Sequence, residues 1–104
     1  MAQNSPKAEK VEKVSNPIMV LEKARELFGE DTNIGFSTDS KKKYMIYDPN
    51  NKVWVHFGDI KYQDYTKHQD DIRRNNYLTR SGNIKGNWKD NPYSPNNLAR
   101  NLLW

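Results

Sequence analysis

The chain has 104 residues, 29% of them charged and 35% hydrophobic, with a formal net charge of +4. That length holds one small domain with a thin core, and the absence of cysteine excludes a disulfide framework or a thiolate metal site. No apolar run approaches the roughly 20 residues of a membrane span, and the N-terminus lacks a signal peptide's apolar segment. A soluble, intracellular chain with no membrane partner is therefore expected.

The charge is unevenly spread. Residues 1–32 carry five Lys/Arg against six Asp/Glu, and residues 33–104 carry twelve against seven. The positive excess lies on the part that patterns as folded, which favours anionic partners, nucleic acid first among them. A solvated surface that keeps the protein soluble would carry the same excess.

Residues 1–14 (MAQNSPKAEKVEKV) have no sustained apolar face and read as a flexible tail. Residues 15–104 read as a single small α+β domain. Ser15-Asn16-Pro17 offers a cap followed by proline, and Ile18, Leu21, Ala24, Leu27 and Phe28 recur at helical spacing up to Gly29. A helix over 17–28 follows. Around Asn33–Ser37 a short strand is weakened by Gly35. Lys43–Tyr47 and Lys52–Phe57 alternate as strands, and Asp48-Pro49-Asn50-Asn51 between them is turn chemistry. The expected sheet is a two-stranded antiparallel hairpin that helices must cover, because two strands alone are marginal in water.

After Gly58, Asp64–Gln69 suits a turn or one helical turn, and Asp70 suits the cap of an arginine-bearing helix over about 71–80. Ile72, Tyr77 and Leu78 are its expected buried side. Arg73 and Arg74, being adjacent, point about 100° apart. Ser81–Tyr93 reads as an irregular connection anchored by Trp88. Ser94-Pro95 starts a C-terminal helix with Leu98, Ala99, Leu102 and Leu103 as its apolar face. Trp104 follows, and so apolar a segment should pack into the core or onto a partner. The whole is an N-terminal helix, a hairpin, an arginine-bearing helix and a C-terminal helix around a small aromatic core.

HFG at 56–58, DYT at 64–66, His68, Asp70, Arg73-Arg74, Tyr77-Leu78, Arg80, Asn87-Trp88 and the closing YSPNNLARNLLW resemble a family of small uncharacterised proteins from nucleocytoplasmic large DNA viruses. The resemblance covers residues 41–104. It implies a viral protein of unknown function, made in host cytoplasm or a virus factory, with the virion as a further place for it. It implies no reaction.

Three readings of the chemistry stand side by side. In the first, a basic surface binds nucleic acid, DNA in preference to RNA. Lys41, Lys42, Lys43, Arg73, Arg74, Arg80, Lys85 and Arg100 would take phosphates, while Tyr44, Trp54, Tyr62 and Trp104 would stack on bases or dock a partner. In the second, the chain is a capsid, virion or accessory protein acting through contacts with other virion proteins, using its aromatics and arginines. The third and least favoured is a metal-dependent nuclease on His56, Asp64 and His68, whose spacing matches no known ligand motif. No catalytic residue, metal site or cofactor is assigned, and oligomeric state is left open.

Overall fold

The computed structural model describes residues 5–104. Three antiparallel strands, β1 (Ile34–Phe36), β2 (Lys42–Asp48) and β3 (Val53–Asp59), form one sheet in the order β1-β2-β3. Around it lie helices α1 (Pro6–Glu12), α2 (Pro17–Phe28), α3 (Tyr65–His68), α4 (Asp71–Gly82) and α5 (Pro95–Leu98), with α5 running on into a π-helical segment, Ala99–Leu103. The α+β class stands, but the two-stranded hairpin is corrected to three strands. Ile34 pairs opposite Ile46 and Phe36 opposite Tyr44, with the Phe36 and Tyr44 rings 6.1 Å apart. Those cross-strand contacts offset the loss of packing at Gly35.

The expected tail is also corrected. Ser5 caps α1 by accepting from the Ala8 N–H, Pro6 occupies the first turn, and Ala8 and Val11 are buried. Two apolar residues three positions apart suffice because the sheet edge at β1 receives them. Residues 1–4 of that segment lie outside the described residues.

In α2 the Asn16 side chain accepts from the Met19 N–H, and Gly29 ends the helix at φ +108°. Its buried stripe is Val20 and Ala24 with Phe28 beside them, whereas Ile18 and Leu27 face solvent. The apolar pattern was therefore right in period and shifted in phase. In the β2–β3 turn, Asp48 accepts from the Asn50 and Asn51 backbone and the Asn51 amide. Tyr44, Ile46 and Phe57 point into the core with Val20, Leu98, Leu102 and Leu103.

Asp70 caps α4, accepting from the Ile72 and Arg73 N–H groups. Arg74, Tyr77, Leu78 and Ser81 form the side of α4 turned toward the protein, spaced i, i+3, i+4, i+7. Ile72 is out of that phase and is 74% exposed, which overturns its expected burial. No helix among the described residues is long and apolar enough to cross a membrane.

Candidate functional site

A cleft of about 790 Å³ opens between the Lys42–Asp59 end of the sheet, one face of α4 and the C-terminal helix. Helix α4 contributes Arg73, Asn76, Tyr77 and Arg80, again spaced i, i+3, i+4, i+7, so one stripe of the helix lines it. This stripe lies beside the inward one and shares Tyr77 with it. Lys42 enters from the start of β2, and Tyr62 and Gln63 from the loop after β3. On the far side stand Asn96, Leu103 and Trp104.

The charge inside is positive. Among the described residues, Lys42, Arg73 and Arg80 have no carboxylate partner, and Arg73 and Arg80 are exposed. Asp59, opposite Lys42 in the strand register, is the one acidic side chain in the lining, and it accepts from the Lys61 N–H. Three unpaired cations thus face one acidic side chain. Tyr77 and Trp104 stack on each other at 4.3 Å and 11°, which fixes both at the cleft, while Tyr62 is 64% exposed. The side-chain amides of Gln63, Asn76 and Asn96 complete the lining; Asn96 is oriented by donating to the Ser81 carbonyl at 2.9 Å. The arrangement suits a ligand with anionic groups, a flat apolar face and hydrogen-bonding edges.

Not every expected phosphate ligand reaches this cleft as a free cation. Lys43 is 2% exposed and its Nζ lies 3.1 Å from Asp64 Oδ2 in a buried ion pair. Burial lowers its pKa, and the neighbouring Asp64 opposes that shift. Arg74 donates from Nε to the main-chain oxygen of Trp104 at 2.7 Å and lies over the Tyr65 ring. Arg100 donates to the Leu78 carbonyl and to Ser81 Oγ, both at 2.6 Å, and covers the Trp88 ring. These three hold the fold and are withdrawn as phosphate ligands. Lys41 and Lys85 are exposed outside the cleft lining.

The aromatics divide in the same way. Tyr44 is fully buried and its hydroxyl donates to Ser15 Oγ at 2.7 Å, so it is core and no stacking platform. Trp104 is half-buried against Tyr77. Trp54 is exposed on edge strand β3, with Tyr47 edge-on at 5.4 Å, away from the cleft lining. Trp88 anchors its loop, donating from Nε1 to the Ile84 carbonyl while Ser94 and Asn97 donate to its own carbonyl.

The three weak metal candidates have separate duties. His56 Nδ1 shares a 2.6 Å hydrogen bond with Ser37 Oγ. Asp64 belongs to a buried network, holding Lys43 with one oxygen and accepting from the Thr66 hydroxyl with the other. Thr66 in turn meets Ser15 and the Asn16 N–H. His68 Nδ1 accepts from the Asp70 N–H, and its ring lies 5.2 Å from that of Trp104. Among the described residues, no three or more His, Asp or Glu are grouped to hold a metal ion.

Sequence reading missed Gln63, Asn76, Tyr77 and Asn96 as site residues. The signal for two of them was present: Arg73, Asn76, Tyr77 and Arg80 share helical spacing, but a search for apolar periodicity passes over a mixed polar stripe.

Residues 32–81 match a protein family described as Family of unknown function (DUF5754). The match runs from β1 almost to the end of α4 and takes in Lys42, Tyr62, Arg73 and Arg80. It begins before the expected family-like part at 41 and stops before the closing YSPNNLARNLLW segment. No curated protein and no solved structure matches the chain.

Proposed function

We propose that the protein is a non-enzymatic nucleic-acid-binding protein that takes phosphates in the cleft through Lys42, Arg73 and Arg80. One observation carries the reading: cations from β2 and from two turns of α4 converge on one open cleft without carboxylate partners. Phosphate neutralisation is the chemistry such an arrangement performs with least reorganisation. DNA is the favoured polymer. The motifs resembling proteins of large DNA viruses make a viral role in the host cytoplasm, virus factory or virion part of the same proposal.

The test is affinity for short DNA across a salt series, with wild type and Arg73→Ala/Arg80→Ala. Three phosphate contacts give a slope of log affinity against log salt of about −2 to −3, falling to about −1 in the double variant. A slope unaltered by the substitutions would move the contacts elsewhere. No binding at low salt would end the proposal.

A second reading has its own observation. Val53 and Trp54 of β3 pair with Asp48 and Tyr47 of β2 yet stay about half exposed, at 49% and 46%, on a strand whose other side has no strand partner. That suits a virion protein acting by protein contacts. Sedimentation of wild type against Trp54→Ala checks it: self-association lost in the variant would favour this reading.

A further inference from the structure

We infer that the cleft takes an unpaired strand, with phosphates on Arg73 and Arg80 and a base laid against Tyr62. The inference rests on the nucleic-acid reading of the cleft and narrows its ligand.

Size is the first argument. A cleft of about 790 Å³ falls in the range of small-molecule sites, roughly 300–1,000 Å³, which is room for a nucleotide or two and not for a duplex. Placement is the second. A helix that reads duplex DNA turns its basic face outward into a groove about 12 Å wide. In α4 the stripe with Arg73 and Arg80 lines a cleft whose other walls are the Lys42–Asp59 end of the sheet, the loop after β3 and the C-terminal helix with Asn96 and Trp104. A single strand can lie between these walls with its backbone along the exposed Arg73 and Arg80, whereas a duplex is too wide to enter and would meet them only from outside.

The lining chemistry is the third. Phosphate alone needs cations, yet Tyr62 offers an exposed ring in the cleft lining, unlike Tyr77 and Trp104, which stack on each other. Every base has a flat face, so such rings hold unpaired bases with little sequence preference. The amides of Gln63, Asn76 and Asn96 can pair with base edges that a duplex would keep buried in its own pairs. Arg73 and Arg80 stand seven residues apart on α4, about 10 Å along its axis, so they engage successive parts of an extended backbone.

The experiment compares a fluorescent oligothymidylate with a blunt duplex of equal length, at low salt, for wild type, Tyr62→Ala, Tyr62→Phe and Arg73→Ala/Arg80→Ala. The expected result is binding of the single strand about tenfold or more above the duplex. Tyr62→Ala should lose about fivefold or more of single-strand affinity with the salt slope kept, and Tyr62→Phe should retain it. Duplex binding equal to or tighter than single-strand binding, with a slope that depends on Arg73 and Arg80, would overturn the inference and leave the nucleic-acid reading standing. Unchanged single-strand affinity in Tyr62→Ala would remove the base from Tyr62. Failure of both probes to bind would remove both readings together.

Discussion

Lys43 Nζ and Asp64 Oδ2 lie 3.1 Å apart with both side chains almost wholly buried. The pair ties the start of β2 to the segment before α3, and Asp64 passes the connection to Thr66, Ser15 and the Tyr44 hydroxyl. A basic run that looks like a phosphate ligand is thus split: Lys41 is exposed, Lys42 lines the cleft, and Lys43 is a structural cation.

Removing one partner of this pair strands a charge in the interior. Lys43→Met or Asp64→Ala should cost about 3–5 kcal/mol, read as a lowered urea midpoint, whereas Lys42→Met should stay within about 0.5 kcal/mol. Equal costs at 42 and 43 would contradict the burial difference.

The arginines separate by task. Arg100→Ala leaves the Leu78 carbonyl and Ser81 hydroxyl without their charged donor and should cost about 2 kcal/mol or more. Arg73→Ala and Arg80→Ala should leave the melting temperature nearly unchanged while weakening DNA binding. Thermal unfolding and a binding titration on the same samples check both statements.

Gly58 stands at φ +83°, and a Cβ there would lie 2.9 Å from Leu103 Cδ1 and 3.2–3.3 Å from the Lys43 side chain. Gly58→Ala therefore combines backbone strain with a clash between β3 and the C-terminal helix. The expected loss is about 1–3 kcal/mol in denaturant unfolding.

His68 carries a pH dependence. Burial first, then the Arg73 charge, lowers its pKa from 6.5, with Asp70 and Asp64 opposing and Lys43 adding a little. Its Nδ1 accepts from the Asp70 N–H and its buried Nε2 has no partner, so the folded ring favours the neutral form. As pH falls below 6.5 the unfolded chain takes up this proton first, and the folded state loses stability until the lowered pKa is passed. His68→Asn keeps an acceptor for the Asp70 N–H and removes the titration. Urea midpoints from pH 7 downward should fall in wild type more steeply than in this variant.

Local chemistry was legible in the sequence wherever it acts over a few residues. The caps at Asn16, Asp70 and Ser94, the prolines at 17 and 95 and the Asp48–Asn51 turn all have the expected roles. Each works through hydrogen bonds or fixed φ angles within one turn of chain, so residue identity nearly suffices. Helix α1 was not legible, and β1 only as a weak strand without its place in the sheet, because neither is stable alone: Val11 and Phe36 become buried or packed only when the sheet is assembled.

The sequence by itself determined the alternation of β2 and β3, the cap positions and the positive balance of residues 33–104. Only tertiary structure decided which cations are free. Lys43, Arg74 and Arg100 are chemically the same as Lys42, Arg73 and Arg80, and they differ in the neighbours that folding brings from 21, 30 and 22 residues away. A carboxylate or carbonyl at that distance in sequence leaves no trace in local pattern, yet it converts a phosphate ligand into a structural bond. The cleft has the same origin, because its cations, aromatics and amides come from segments that meet only once the C-terminal helix closes over the sheet.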